Sequence, residues 1–404
     1  MFILKRAGCR IFQGIFRMAL PLLPYREPTL IPACDGVGNT LTRDGLRSAL
    51  IVTTEGSVRR GILKPIIETL DRVGIKHAIY DKTKPDPTDS NIQDALSVYY
   101  ESACDCLIAV GGGSVIDCAK AVGARVAYPK HKLSRLAGIL KVNRKIPTLV
   151  AIPTTAGTGS EATPAAVVTD ELTHRKYAIM SFPLIPHYAV LDPRLTISMP
   201  RDLTAATGMD ALTHAVEAYI GRSTTRKSRE MAICAIKLIF ENIERAYADG
   251  NDLVARENML IASYKAGVAF SISYVGYVHA IAHTLGGKYG TPHGLANARI
   301  LPHVLSAYGK SAYKKLHRLA LEVGALSENA SLEDGANAFI DAVVGMNERM
   351  GIFSVANEIC PDDIPRLAGL AAREANPLYP VPRLMDSSEL ELLYYRIAGI
   401  SKEK

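Results

Sequence analysis

From about residue 30 to 195 the chain alternates short apolar runs with longer amphipathic ones. The apolar runs are ALIVTT (49–54), HAIYD (77–81), CLIAVGGGS (106–114), PTLVAIPTT (147–155) and YAVLD (188–192). Segments of helical period, such as 62–73 and 91–103, lie between them, and this alternation predicts parallel βαβ units. After Pro200 the texture changes. The stretches 203–220, 228–248, 254–273, 313–324 and 333–350 repeat their apolar positions at helical spacing, and no strand pattern interrupts them. The most apolar stretch, 266–282, is broken by Ser, Tyr, Gly and His, which suits a buried helix better than a membrane span. LDPRLTISMP (191–200), rich in turn residues, marks the change. The pattern therefore predicts an N-terminal extension (1–28), an α/β Rossmann-like parallel-sheet domain (29–199) and an all-α domain (200–404).

Composition narrows the function classes. The chain has 404 residues, 48% of them hydrophobic and 22% charged, enough for two cores. The formal charge of +7 is modest, and no basic block interleaves with aromatics, so nucleic acid is not an expected partner. Steering of an anionic cofactor is the more natural use of that charge. Seven cysteines (Cys9, Cys34, Cys104, Cys106, Cys118, Cys234, Cys360) without CxxC pairs fit reduced thiols and a cytoplasmic protein.

The first 28 residues carry Lys5, Arg6, Arg10 and Arg17 but no acid before Glu27, with apolar residues between the charges at roughly helical spacing. Three readings stand side by side: an extra helix packed on the body of the protein, an interfacial amphipathic helix making peripheral membrane contact, and a transit peptide.

Two loops carry phosphate-binding chemistry. CLIAVGGGSVIDCAKAVG reads as a buried strand, a glycine turn and a helix opening at or near Ser114. Gly111, Gly112 and Gly113 let backbone N–H groups approach a ligand, and the helix N-terminus behind them favours negative charge. The loop is not GxGxxG. IPTTAGTGSEAT (152–163) follows another predicted strand and offers the hydroxyls of Thr154, Thr155, Thr158 and Ser160. Loops after strand carboxyl ends converge on the ligand crevice of an α/β sheet.

GMDALTHAVEAY (208–219) places Asp210 and His214 one turn apart on a helix, with Glu217 near the same face. VHAIAHTLGGKYGTPHG adds His279, His283 and His293 in another apolar neighbourhood. Buried charge needs a partner, and a divalent metal is the economical one. Oxygen and imidazole donors without thiolate suit Fe(II), Zn, Co or Ni. Four ligands from five candidates leave one His over.

Together GGGSVIDCAK, PTTAGTGSE, GMDALTHAVEAY, HAIAHTLGG and TPHGLANA resemble the iron-containing (group III) alcohol dehydrogenases, with their dehydroquinate-synthase-like fold, from about residue 28 to 400. The resemblance implies Asp210, His214, His279 and His293 as metal ligands and His283 as a non-ligand His that relays the proton. It implies Gly112, Gly113, Ser114, Asp117, Thr154, Thr155, Thr158 and Lys176 as cofactor contacts, and leaves Glu217 a supporting or structural role. Hydride transfer between a small primary alcohol or aldehyde and NAD(P), helped by the Lewis acidity of Fe(II), Zn or another divalent ion, follows from the same likeness, as does a homodimer or higher homo-oligomer. The alternatives are a polyol dehydrogenase, a dehydroquinate-synthase-like lyase, or a non-catalytic subunit retaining the fold.

Two departures stand out. Thr54 occupies the strand end where the family commonly has an Asp at the adenosine ribose, so NADP is not excluded beside NAD. YPVPR (379–383) stands where a motif ending NPR is usual. Because the family pattern begins after the extension, residues 1–20 are expected to be dispensable for chemistry.

Overall fold

The computed structural model describes residues 2–171, 176–326 and 329–401. Two compact units emerge: Pro24–Met199, and Met1–Leu23 together with Pro200–Lys404. The N-terminal segment thus belongs to the helical unit.

The first unit contains strands β1 (Thr29–Ile31), β2 (Ser48–Val52), β3 (Lys76–Tyr80), β4 (Cys106–Gly111), β5 (Gly138–Ile139), β6 (Thr148–Pro153), β7 (Ala165–Thr169), β8 (Lys176–Met180) and β9 (Tyr188–Val190). Helix α1 (Phe2–Ala19) precedes it, and α2 (Val37–Arg43), α3 (Glu55–Arg59), α4 (Lys64–Arg72), α5 (Asp89–Glu101) and α6 (Gly113–Ala127) lie within it. Six strands form one sheet in the order β1-β9-β6-β4-β2-β3, and every pairing in it is parallel. The central strands SALIV and CLIAVG are buried at every position because helices cover both faces. Alternate residues feed two separate cores. Leu50, Val52, Leu107, Ala109, Leu149 and Ala151 pack with residues of α5 and α6 on one side, while Ala49, Ile51, Ile108, Val110, Val150 and Ile152 pack with residues of α2 and α4 on the other. A second sheet, β5-β8-β7, sets β7 antiparallel to β8. Sequence periodicity gave no sign of these short strands.

Lys120, on α6, is fully buried. Its ammonium donates to Ser160 O (2.7 Å), Ser160 Oγ (3.1 Å), Thr163 O (2.9 Å), Thr163 Oγ1 (2.9 Å) and Ala165 O (2.8 Å). Burial draws its pKa down to about 8, opposed by the charges of Asp117 and Glu161. One side chain thus ties α6 to the 160–165 segment. Lys120→Met keeps the stem and leaves these acceptors without their donor, so urea unfolding of the α/β unit is expected to show a loss of about 2–4 kcal/mol.

The second unit is built from α7 (Arg201–Ile220), α8 (Arg226–Ala248), α9 (Leu253–Ser273), α10 (Tyr277–Tyr289), α11 (His293–Tyr308), α12 (Tyr313–Glu322), α13 (Leu332–Arg349), α14 (Ile364–Ala375) and α15 (Ser387–Ile397). Fifteen of the 20 residues of α7 are buried, so this helix has almost no solvent face and forms the centre, packed by α8, α9 and α11. The 266–282 stretch is not one helix, contrary to the sequence reading. α9 ends at Ser273, Tyr274 takes φ of +62°, and α10 departs at 105°. The apolar period simply continues across the break. Among the described residues no single helix is long and apolar enough to cross a membrane.

α11 contains Pro302, which has no N–H to give the carbonyl of Ala298 one turn back. Asn347 of α13 fills the gap: its Nδ2 donates to Ala298 O at 2.8 Å in a buried contact.

α1 docks on this unit by one face. Arg6 pairs with Glu389 at 2.8 Å, Arg10 donates to the carbonyls of Val381 (2.8 Å) and Pro382 (3.0 Å), and Gln13 donates to those of Pro377 (3.1 Å) and Tyr379 (2.7 Å). Phe16 meets the Tyr274 ring edge-on at 5.2 Å. Ile11, Ile15, Met18 and Leu22 are exposed.

Candidate active site

α7 presents Asp210 and His214 one turn apart, α10 presents His279, and α11 opens on His293. One ligand atom from each of these four lies within 4.8 Å of the others, and three of the four residues are buried. His293 Nε2 stands 3.5 Å and His279 Nε2 4.0 Å from Asp210 Oδ1, and His214 Nδ1 stands 3.9 Å from Asp210 Oδ2. His214 is stacked on Phe270 with ring centroids 4.2 Å apart, which fixes its plane. Burial, reinforced by the neighbouring imidazoles, drives the pKa of His279 well below its ordinary value and keeps its lone pair available. One carboxylate and three imidazoles, with no thiolate, form a donor set that fits a divalent ion of the Fe(II) or Zn type.

Glu217 continues the same face of α7. Its Oε2 meets His279 Nδ1 at 2.7 Å and accepts Gly276 N at 2.7 Å, while Oε1 accepts Val278 N at 2.8 Å. The carboxylate therefore caps the N-terminus of α10 and turns the His279 ring so that Nε2 faces Asp210. Burial pushes this carboxyl up to about 7 against the pull of those donors. Gly276 permits the approach, because a Cβ there would stand 2.6 Å from Glu217 Oε1.

Two residues escaped the sequence reading. Asn297, fully buried and one turn beyond His293, donates from Nδ2 to Asp210 Oδ1 at 2.6 Å, and the same atom lies 3.1 Å from His293 Nε2 and 3.3 Å from His279 Nε2. The HxxxN spacing on a helix was the available signal. Glu374 accepts from Tyr379 OH at 2.8 Å and meets His283 Nδ1 at 2.6 Å with the same oxygen. No spacing reveals that pair, whose members are 91 residues apart. His283 itself is partly exposed and stacks on His293 with centroids 5.3 Å apart.

The predicted cofactor residues lie in the α/β unit, around the carboxyl ends of its strands. Gly111 ends β4 opposite Pro153 at the end of β6, Gly112 caps α6, and Gly113 and Ser114 form its first turn. Thr154, Thr155 and Thr158 lie on the loop that leaves β6, where Thr154 N donates to Gly111 O at 3.1 Å. A Cβ on Gly113 would sit 2.8 Å from Thr158 Cγ2, so the glycine lets the two loops close on each other. Asp117 turns into the loop: it accepts Ser160 Oγ at 2.7 Å and Val167 N at 3.0 Å. Lys176 pairs with Asp86 at 2.7 Å, and Asp86 N in turn meets Ser114 Oγ at 3.3 Å. Thr54, two residues past β2, uses its hydroxyl to accept Ser57 N at 3.2 Å and so caps α3.

A buried carboxylate–imidazole cluster on a helical unit, following a parallel α/β unit with a glycine loop at a strand end, has the chemistry to hold a divalent ion and a nucleotide. Residues 32–193 match the family of iron-containing alcohol dehydrogenases, and residues 204–398 match the C-terminal domain of the same family. The chain belongs to the iron-containing alcohol dehydrogenase family and is an oxidoreductase of that class. It is 38% identical over 384 residues to 1,3-propanediol dehydrogenase from Klebsiella pneumoniae, covering 94% of this chain and 98% of the relative. A crystal structure of a 1,3-propanediol oxidoreductase superposes with a TM-score of 0.88 at 37% identity, covering 92% of this chain and 99% of that one. Sulfoacetaldehyde reductase from Bifidobacterium kashiwanohense, solved in complex with NAD+, superposes with a TM-score of 0.84 at 25% identity, over 93% of this chain and 99% of that one.

Proposed function

We propose that this chain interconverts small primary alcohols and aldehydes, with Asp210, His214, His279 and His293 holding a divalent ion and the 111–114 and 154–160 loops holding a nicotinamide dinucleotide. The observation that carries the reading is the convergence of those four ligand atoms within 4.8 Å, three of the residues being buried. A bound ion supplies Lewis acidity at the substrate oxygen, and a bound nicotinamide gives or accepts the hydride.

The chain's own residues do the rest. Gly112, Gly113 and Ser114 present backbone N–H groups at the start of α6 to a pyrophosphate. Thr154, Thr155 and Thr158 offer hydroxyls to phosphate and ribose oxygens. Asp117 and Lys120 hold the second loop in shape through Ser160, Thr163, Ala165 and Val167, and each Asp117 oxygen, with one bond of its own, keeps a lone pair for a cofactor hydroxyl. Lys176 is the cation offered to the cofactor, held by Asp86, whose own N–H meets Ser114 Oγ. His283 relays the proton between the substrate oxygen and solvent, consistent with its half-exposed ring beside His293. The sulfoacetaldehyde reductase solved with NAD+ supports a nicotinamide cofactor, and the 1,3-propanediol relatives support a short-chain alcohol substrate.

Anaerobic oxidation of NADH with a panel of short aldehydes, with metal analysis on the same sample, tests the reading. Turnover that tracks iron or zinc content supports it, and metal-replete protein inert toward every aldehyde overturns it. Coenzyme choice has its own test. Thr54 carries no charge to repel a 2′-phosphate, and an Asp in its place can still cap α3. Thr54→Asp is expected to raise the NAD-over-NADP ratio of kcat/KM by roughly ten-fold, the effect of one strengthened or repelled contact. An unchanged ratio places residue 54 away from the ribose.

A further inference from the structure

The loop that departs from the family pattern is the one α1 grips. Between α14 and α15, residues 379–381 are buried, and buried carbonyls need donors. Three prolines, Pro377, Pro380 and Pro382, leave this segment few N–H groups of its own. Val381 N supplies one, to Tyr379 O at 2.8 Å, and the other donors come from elsewhere. Gln13 reaches the carbonyls of Pro377 and Tyr379, Arg10 those of Val381 and Pro382, and Arg222 N that of Pro380 at 2.6 Å. Arg10 also steadies Gln13, donating to its Oε1 at 2.8 Å. Four of these five carbonyls are thus held by two side chains of one helix.

The middle of that loop points back to the histidines. Tyr379, 8% exposed, donates to Glu374 Oε1 at 2.8 Å, and the same oxygen receives His283 Nδ1 at 2.6 Å. With Nδ1 held there, the ring is set with Nε2 on the side away from Glu374. A line of hydrogen bonds therefore runs from Gln13 through the backbone and ring of Tyr379 to Glu374 and His283. We propose that Glu374 is a positioning residue that orients His283, and that α1, by holding the 377–382 loop and with it Tyr379, sets the geometry of that pair. The proposal rests on the reading of His283 as the proton relay. It also replaces the expectation that residues 1–20 are dispensable for chemistry: their removal releases the loop.

A mutant cycle tests the chain of contacts in the full-length, metal-loaded enzyme. Glu374→Ala is expected to lower kcat by about ten-fold or more, with a smaller change in KM and no loss of metal, in keeping with impaired proton transfer. Gln13→Ala, which touches neither substrate nor metal, is expected to lower kcat in the same sense by a smaller factor. In a His283→Ala background both substitutions should have little further effect, because they act through that ring. A second readout does not use turnover: in zinc-loaded protein labelled with ¹⁵N-histidine, both variants should shift the ring nitrogens of His283 away from the pattern with the proton on Nδ1. Arg10→Ala, which frees two carbonyls of the same loop, serves in place of Gln13→Ala should that variant not fold. Equal losses of kcat with and without His283, or unmoved His283 ring nitrogens in both variants, overturn the proposal. A wild-type kcat in His283→Ala instead removes the proton-relay reading, and the ring nitrogens then decide the positioning by themselves.

Discussion

His279→Ala and His293→Ala are each expected to lose bound metal and activity together while the chain stays folded. Each removes one of the four donors gathered within 4.8 Å, and neither imidazole is part of the parallel sheet or its two cores. The loss of affinity should exceed the roughly 10- to 100-fold that substitutions behind the ligands cost. His283→Ala forms the contrast: its Nδ1 is engaged by Glu374, so the metal should stay and only the rate should fall. Metal content by elemental analysis, beside circular dichroism of the same samples, separates the cases. Full metal in His279→Ala with loss in His283→Ala would reverse the ligand assignment.

Glu217→Gln is expected to damage metal binding and stability at once. Glu217 is 3% exposed and accepts from Gly276 N, Val278 N and His279 Nδ1, so both oxygens are needed as acceptors. An amide has one oxygen, and its NH2 must face at least one N–H. Leaving a buried donor unmatched costs about 1–3 kcal/mol, readable as a shift in urea unfolding. Freeing the His279 ring should weaken metal binding about 10- to 100-fold, readable by competition with a chromophoric chelator. Loss of stability with unchanged affinity would mean that the carboxylate matters only as the cap of α10.

The parts of this protein that were legible in its sequence are those where a side chain carries the function. Asp210 and His214 at helical spacing inside an apolar run declare a site because burying them alone is costly. The glycine turn after CLIAV and the central strands, apolar at nearly every position, declare a parallel sheet. Apart from Asn297, what stayed hidden lies in the backbone or far along the chain. The break at Tyr274 leaves the apolar period intact on both sides, so 266–282 reads as one helix. YPVPR is opaque as a motif because its carbonyls, not its side chains, make most of the contacts to Arg10 and Gln13. Glu374 meets His283 across 91 residues, a distance no local spacing encodes.

The repair of α11 by Asn347 bears on how this site comes into being. The helix that opens on His293 and carries Asn297 cannot complete its own ladder, because Pro302 leaves Ala298 O open until α13, 49 residues along, arrives. Local helix formation is fast, but here it stops short of the finished element, and closing a long loop is the slower event. The helix that opens on His293 is therefore finished by tertiary packing and not by its own local ladder, so its last backbone contact belongs to the assembly of the helical bundle.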